Sequence, residues 1–239
     1  MSPFQIHKLN PNFYIEVTPY ARGFTLSDHE KILIENIWNH EISNQNERLF
    51  NGQILNVVSF TEEKMVAEFV DYKFYLAQLR DPNFEPVLGI RTVCVSGITT
   101  IVDKVLMGRR SPTVSNFPKF YELVPSGGID PGSLVTNKID ITKQFEVELW
   151  EETGISVTEV KDIRPLGLVY DEDQKTYDFC AEIVVNYSAL KEFLDPSDEY
   201  EDLAWIPKHD IEKIIRRHKK EIVPLSLLLL QMMGFVETN

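Results

Sequence analysis

The sequence predicts a mixed α/β (α+β) fold, in which strands alternate with a few helices. Residues 88–102 are rich in Val, Ile and Thr, a composition that favours a strand. Ile141, Phe145 and Leu149 instead recur every fourth residue, which is the spacing of one helix face. Strands that alternate with helices in this way favour a mixed sheet with helices packed on it.

The first part of the chain, residues 1–86, is expected to form a small α+β extension that contributes to substrate recognition. Its predicted elements are a strand at 12–19, a helix that starts at 27–30 and covers 32–40, paired strands at 54–60 and 64–69, and a short helix at 72–79. Residues 81–86 read Asp-Pro-Asn-Phe-Glu-Pro, a turn-forming composition that sets the predicted domain boundary.

The second part, residues 87–239, is expected to form the larger domain. The predicted strands are 88–102, 104–109, 121–124, 157–163, 166–170, 177–185 and 203–206, and the predicted helices are an acidic helix that ends at Gly154, 210–218 and 226–234. In the acidic helix, Val147 and Trp150 point away from the Phe145 stripe. A helix that is apolar on two sides tends to lie between two layers.

Composition excludes several classes of protein. The 239 residues carry a net charge of −13, which argues against general binding to nucleic acid or to an acidic membrane. The longest apolar run, 225–230, is too short to span a bilayer, and the N-terminus lacks an apolar signal core. Only Cys94 and Cys180 occur, and reduced core residues are the expected reading. The sequence therefore predicts a cytoplasmic protein, and it indicates no oligomeric state.

Three glutamates carry the chemistry that the sequence suggests. Glu148, Glu151 and Glu152 lie three and four residues apart, so a helix places them on adjoining positions of one face. Their charges repel one another, and a hard divalent cation with oxygen ligands relieves that repulsion. A turn containing Gly127 and Gly128 precedes the helix and allows the backbone to approach a ligand closely. The alternative is a solvated, Glu-rich helix.

Residues 125–155 resemble the signature of the Nudix hydrolases, G-x5-E-x7-R-E-U-x-E-E-x-G-U, where U is a bulky aliphatic residue. Its second half is matched in register by Glu148, Leu149, Glu151, Glu152, Gly154 and Ile155. The chain departs from the pattern at Val147, where the family has Arg, and at Ser133, near the expected first Glu. The loop before the helix is also longer than usual.

The resemblance implies a Nudix-type mixed sheet sandwiched between helices, and a pyrophosphohydrolase that uses Mg²⁺ (or Mn²⁺). It implies that Glu148, Glu151 and Glu152 are the metal ligands, that Glu151 is also catalytic, and that Gly127 and Gly128 contribute backbone to substrate and metal binding. The implied substrate is a small-molecule nucleoside diphosphate derivative. The cation would neutralise phosphate oxygens and acidify a bound water.

The general base that the resemblance implies is an acid in a loop ahead of an aromatic strand. Glu199 has the family-like offset from Trp205 and is the first candidate, with Glu201 second. A solvated acidic loop is the alternative. Residues 171–173, Asp-Glu-Asp, form another acidic loop and are interpreted mainly as solvated.

Candidate phosphate-binding cations are Arg109 and Arg91, because one guanidinium group can donate two parallel hydrogen bonds to phosphate oxygens. Strand alternation allows only one of Arg109 and Arg110 to face the acids, and Arg109 is preferred. The basic run 216–220 is interpreted as a solvated helix face. Aromatic residues at 72, 74 and 75 either stack a nucleobase or pack in the core, and core packing is preferred.

Residues 1–85 also resemble, more loosely, an extension found on Nudix hydrolases of UDP-sugars. The shared pattern includes Ile37-Trp38, Leu49-Phe50, residues 75–79, Asp81-Pro82 and Leu88-Gly89-Ile90. The resemblance implies hydrolysis of a nucleotide sugar such as UDP-glucose or UDP-galactose. The alternatives are a catalytically weak Nudix-fold ligand-binding or sensor protein, and a hydrolase of ADP-ribose or dinucleotide polyphosphates.

Overall fold

A computed structural model describes residues 3–19, 23–44, 49–191, 194 and 197–236. The strands are β1 (Phe4–His7), β2 (Tyr14–Val17), β3 (Gln53–Phe60), β4 (Lys64–Asp71), β5 (Thr92–Ile101), β6 (Lys104–Arg110), β7 (Tyr121–Leu123), β8 (Ser126–Gly128), β9 (Leu134–Val135), β10 (Lys138–Ile139), β11 (Val160–Asp171), β12 (Thr176–Val185) and β13 (Tyr200–Pro207). The α-helices are α1 (Asp28–Asn44), α2 (Tyr72–Arg80), α3 (Glu85–Leu88), α4 (Ile141–Thr153), α5 (Ile211–His218) and α6 (Pro224–Met232). This mixture of strands and helices confirms the predicted fold class.

The chain divides into two compact units. The first comprises residues 1–94, 128–141 and 167–178, and the second comprises 95–127, 142–166 and 179–239. Both units therefore draw on distant parts of the sequence. The expected division into domains after residue 86 stays a prediction. Among the described residues, no helix is long and apolar enough to cross a membrane.

The first unit contains a mixed sheet in the order β3-β4-β2-β10-β9. β3 and β4 pair antiparallel, as the sequence predicts, whereas β2 pairs with β4 in parallel. Helix α1 begins with a capping box, in which the Glu30 carboxylate accepts from the Ser27 backbone N–H at 2.7 Å. Helix α2 packs against α1, and Arg80 holds Glu41 across the pair with two hydrogen bonds.

Aromatic residues of α2 belong to the core of this unit. Tyr75 is buried together with Ile34, Phe84 and Ile90, and Tyr72 and Phe74 pack against the same cluster, which confirms core packing. The Tyr75 hydroxyl donates to the Gln174 carbonyl at 2.6 Å.

The predicted strand 88–102 begins later in the structure. Residues 85–88 form α3, and Gly89 ends that helix in the left-handed region, at φ 56°. Ile90 then bonds through its N–H and its carbonyl to the Gln78 side chain, at 2.8 and 2.9 Å. The backbone groups that a strand would use are satisfied by a side-chain amide instead, so β5 starts only at Thr92.

The described strands differ from the sequence analysis in two further places. Residues 160–171 form the single strand β11 where the sequence suggested two strands. β1 was not predicted, and it pairs antiparallel with β11 from Phe4↔Asp171 to His7↔Leu168. β1 has only four residues and two of them are exposed, so its sequence carries no alternating apolar pattern.

The second unit is organised around β6, which pairs antiparallel with β5, β7 and β13. The register places Gly108 of β6 opposite Glu122 of β7 and opposite Leu203 of β13. Helix α5 buries Ile211 and Ile215 and turns its basic residues outward, which confirms the solvated face predicted for 216–220. Cys180 is buried and Cys94, in the first unit, is half-buried. Neither forms a disulfide among the described residues.

Candidate functional site

Helix α4 of the second unit carries the three glutamates that the sequence singles out. Phe145 and Leu149 are buried along one side of the helix, and Gly154 ends it at φ 73°, with its N–H bonded to the Trp150 carbonyl. Trp150 is 60% exposed, so the expectation of a second buried apolar side is wrong. The helix therefore rests on one apolar stripe and presents its acids beside that stripe.

The three glutamates differ in their environments. Glu152 is only 3% exposed, Glu148 is half-buried, and Glu151 is exposed. The backbone N–H of Ser126 donates to both carboxylate oxygens of Glu152, at 3.1 and 3.2 Å. The last turn of α4 is thus bonded to the first residue of β8. The prediction of a turn at Gly127 and Gly128 is wrong, because both residues belong to this strand.

Glu148 lies between the Gln144 side chain and Gly127 of β8. The Gln144 amide, one helical turn earlier, donates to a Glu148 oxygen at 2.8 Å. A Cβ atom added at Gly127 would overlap all three atoms of the Glu148 carboxylate group. An added Cβ at Gly128 would meet nothing within 4 Å. Gly127 is therefore required for the close approach of backbone and carboxylate, whereas Gly128 lies in open space.

Burial and like charges perturb the acids of this cluster. Burial is the main cause that raises the pKa of Glu152 well above its ordinary value, and the negative charges of Glu122 and Glu148 add to it. The Ser126 N–H opposes this shift. Isolation of a carboxylate from water disfavours its charged form unless a cation compensates. The site thus concentrates negative charge that its own backbone only partly offsets.

Glu122 and Tyr200 complete the cluster, and sequence analysis identified neither. Glu122 lies on β7, is buried, and forms a salt bridge with Arg110, whose side chain is 13% exposed. The Tyr200 hydroxyl lies 2.9 Å from Glu122 Oε2 and 3.4 Å from Glu152 Oε2. The signal for Tyr200 was its place beside the candidate Glu199, whereas nothing in the short segment 121–123 marks Glu122 as buried.

Strand β6 separates the two neighbouring arginines. Arg110 faces the acids and bonds to Glu122, whereas the guanidinium of Arg109 lies 4.9 Å from the ring centroid of Tyr121 on the other side of the strand. Arg109 also lies 3.8 Å from Glu201. The structure therefore places Arg110, rather than Arg109, beside the buried glutamates. The phosphate-binding role of Arg109 stays a prediction.

Glu199 lies in the loop that leads into β13. Its backbone carbonyl accepts from the Ser111 N–H at 2.7 Å, which fixes the loop to the end of β6. Its side chain reaches solvent, yet partial desolvation raises its pKa, and the charges of Glu122 and Glu151 add to the rise. Arg110 opposes the shift. Glu199 is thus electrostatically part of the cluster around Glu152.

Two other predicted groups belong to the first unit. Arg91 belongs to the first unit, where it pairs with Glu85 and donates to the Ile90 carbonyl at 2.9 Å. Asp171 accepts from the backbone N–H groups of Asp173 and Gln174, at 2.8 and 3.1 Å, and so shapes the turn after β11. This structural task agrees with the interpretation of 171–173 as a solvated loop.

The donor chemistry of the cluster fits a hard divalent cation, because glutamate oxygens are its preferred protein ligands. As the side chains stand, however, no three His, Cys, Asp or Glu groups among the described residues are arranged to hold a metal ion. The hydrogen bonds from Ser126 and Tyr200 engage Glu152 instead. The residues fit the ion by chemistry and charge.

Comparison with family models found no match, and no curated protein is significantly similar. Solved structures do match. The protein DR0079 from Deinococcus radiodurans has 16% identity and a TM-score of 0.50, covering 74% of this chain and 98% of its own. A MutT protein from Methanosarcina mazei Go1 has 18% identity and a TM-score of 0.44, covering 61% and 95%. A Nudix family hydrolase from Clostridium perfringens has 16% identity and a TM-score of 0.42, covering 61% and 97%. At 16% identity, the likeness to DR0079 shows a shared fold and not a shared reaction.

Proposed function

We propose that this protein is a Nudix-type, Mg²⁺- or Mn²⁺-dependent hydrolase of the diphosphate linkage in a nucleoside diphosphate derivative. The observation that carries the proposal is the buried Glu152 carboxylate, which other acids surround and whose pKa they and burial raise. A buried carboxylate whose pKa is perturbed by burial and by neighbouring charges is a candidate for metal binding or catalysis. The match of residues 148–155 to the Nudix signature supports the same reading.

Glu148, Glu151 and Glu152 would hold the cation, which when bound neutralises phosphate oxygens and lowers the pKa of a bound water. Glu199 would accept a proton from the attacking water. The water oxygen forms a bond to one phosphorus, the bond from that phosphorus to the bridging oxygen breaks, and the leaving phosphate keeps the electron pair. Arg109 is the proposed partner of the substrate phosphates, with Arg91 second.

We propose a nucleotide sugar such as UDP-glucose as the substrate, with a nucleoside monophosphate and a sugar 1-phosphate as products. The support is the pattern in residues 1–85, which resembles the extension of UDP-sugar hydrolases. Specificity would then reside in residues 1–86, since metal and phosphate contacts do not distinguish one nucleotide derivative from another.

The test is a panel of nucleotide sugars, ADP-ribose and dinucleotide polyphosphates, incubated with Mg²⁺, with Mn²⁺ or with a chelator. Products are separated by chromatography. We expect metal-dependent release of a monophosphate from at least one member, fastest with a UDP-sugar. Glu152→Gln should lower the rate at least about tenfold. Hydrolysis of no member under any metal condition would reject the proposed activity.

A ligand-binding module is the second candidate. Val147, at the position of the signature arginine, and Ser133, near the expected first Glu, favour it. Such a protein would melt at a higher temperature with a nucleotide ligand. It would form no product in the same incubation, so the two candidates are separated by one experiment.

A further inference from the structure

The Tyr200 hydroxyl lies between two carboxylates that it cannot serve equally. It is 2.9 Å from Glu122 Oε2 and 3.4 Å from Glu152 Oε2. A phenol has one proton and therefore donates to one carboxylate at a time. The direction of this single O–H group decides whether Glu152 has a second hydrogen-bond donor beside the Ser126 N–H.

Glu122 has a second partner, Arg110. Its guanidinium forms a salt bridge with Glu122, and both side chains are largely buried. A charge-assisted bond of this kind satisfies a carboxylate more strongly than a neutral hydroxyl does. Glu122 is thus stabilised without the Tyr200 proton. With Glu122 bonded to Arg110, the Tyr200 hydroxyl can rotate from Glu122, its nearer neighbour, toward Glu152.

The Tyr200 ring has a built seat in the sheet. A Cβ atom added at Gly108 would lie 2.6 Å from Cε1 of the ring, too close for any real contact. The ring therefore packs directly on the backbone of β6 at Gly108. Glu122 of β7 lies opposite Gly108 in the strand register. Only glycine at position 108 permits this placement of the hydroxyl.

We propose that Tyr200 is a positioning residue that donates its hydroxyl proton to Glu152 and, together with Ser126, fixes that carboxylate for the cation. The inference rests on the proposed function, in which Glu152 is a metal ligand. Arg110 and Gly108 act through Tyr200, the first by satisfying Glu122 and the second by seating the ring.

The test compares Tyr200→Phe with the wild-type chain by Mn²⁺ titration, followed by electron paramagnetic resonance of the free ion. Groups that orient metal ligands typically change affinity or activity by about 10–100-fold when removed, so we expect Mn²⁺ to bind at least about tenfold more weakly. With substrate, kcat should fall at subsaturating Mn²⁺ while KM stays unchanged, because the proposed role of Tyr200 is to orient Glu152, a metal ligand, and not to bind substrate.

Tyr75→Phe is the matched control. It removes one buried hydroxyl whose 2.6 Å bond to the Gln174 carbonyl lies in the first unit, within a hydrophobic cluster. A general loss of stability from a missing buried hydrogen bond should appear in both variants. A loss of Mn²⁺ affinity should appear only in Tyr200→Phe. Equal Mn²⁺ affinities of Tyr200→Phe and the wild-type chain would overturn the proposal.

Two further variants test the pathway. Gly108→Ala displaces the ring without removing the hydroxyl, and it should weaken Mn²⁺ binding in the same direction. In a Glu152→Gln background, Tyr200→Phe should weaken it no further, because its effect runs through Glu152. Additive losses would contradict positioning. A wild-type chain that binds Mn²⁺ but hydrolyses nothing would reject the proposed reaction and leave the Mn²⁺ comparison as the test of Tyr200.

Discussion

The backbone N–H of Ser126 faces both carboxylate oxygens of Glu152, at 3.1 and 3.2 Å. This shared bond joins the first residue of β8 to the last turn of α4. Because Gly127 is the second residue of β8, its position follows from the same contact. The backbone that approaches Glu148 and the carboxylate of Glu152 are thus parts of one arrangement.

Gly127→Ala should disturb Glu148 without removing any acid. The added Cβ would occupy the space of the Glu148 carboxylate, so either that side chain or strand β8 must move. A displacement of about 1 Å at a catalytic group can cost about 100-fold in rate. We expect at least a tenfold loss of kcat/KM. The measurement is steady-state hydrolysis of the best substrate at saturating Mg²⁺.

Gly128→Ala provides the contrast for that variant. Its added Cβ meets nothing within 4 Å, so it should cost less activity than Gly127→Ala. A larger loss at position 128 than at 127 would show that activity does not depend on the space that Gly127 leaves for Glu148.

Sequence alone located the acidic helix and its end at Gly154, because spacing and glycine chemistry are local properties. It predicted a turn at Gly127 and Gly128, which instead lie in β8. It also predicted the strand at 203–206, which lies within β13, and it named Glu199 ahead of that strand as a base, a role that stays a prediction.

Burial of Glu152 against a strand 26 residues earlier is a tertiary property, which a helical pattern does not encode. Sequence analysis therefore did not find Glu122 and Tyr200, which complete the cluster around Glu152.

Glu122 and Arg110 illustrate the limit. An acid between Tyr121 and Leu123 in a short strand normally indicates a solvent-facing position. The Arg110 salt bridge reverses this, since it makes burial of both charges tolerable. Alternation correctly indicated that Arg109 and Arg110 face opposite sides, but it contains no information about which side holds the acids. Only the register of β6 with β7 supplies that information.

Glu152→Gln should stabilise the metal-free protein at neutral pH. Burial raises the folded-state pKa of Glu152 above its unfolded-state value, so the folded protein binds the proton more tightly. That contribution to stability is present in full below the unfolded-state pKa and is lost as pH rises through the folded-state pKa. A glutamine cannot ionise, so the variant escapes the loss.

Thermal melting with a chelator present measures this effect. We expect the Glu152→Gln midpoint to exceed that of the wild-type chain at pH 8 by roughly 2–4 °C, the shift that about 1 kcal/mol gives in a chain of this size. At pH 4 the difference should shrink. Mn²⁺ should raise the wild-type midpoint more than that of the variant. A variant less stable than wild type at pH 8 would contradict the buried-charge argument.

Substitutions of Arg110 and Arg109 should have different effects, the first on stability and the second on substrate binding. Arg110→Met leaves Glu122 as a buried charge without its partner, and we expect a loss of about 3–5 kcal/mol in the free energy of unfolding by urea titration. Arg109→Met removes a more exposed group 3.8 Å from Glu201, and we expect a stability change within about 1 kcal/mol. If Arg109 binds the substrate phosphates, KM should be higher for Arg109→Met than for the wild-type chain. An unchanged KM would remove Arg109 from the proposed site.

Glu199→Gln tests the proposed base through the pH dependence of the rate. A general base must be ionised, so kcat/KM should rise with pH as Glu199 loses its proton. Because desolvation and the charges of Glu122 and Glu151 raise its pKa, the midpoint of this rise should lie above 4.5, the ordinary value. We expect Glu199→Gln to lower kcat/KM by about 100-fold or more and to remove this limb of the profile. Asp198→Asn, one residue earlier in the same exposed loop, is the matched control and should retain both the rate and the limb. A rise that persists unchanged in Glu199→Gln would assign the base to another group.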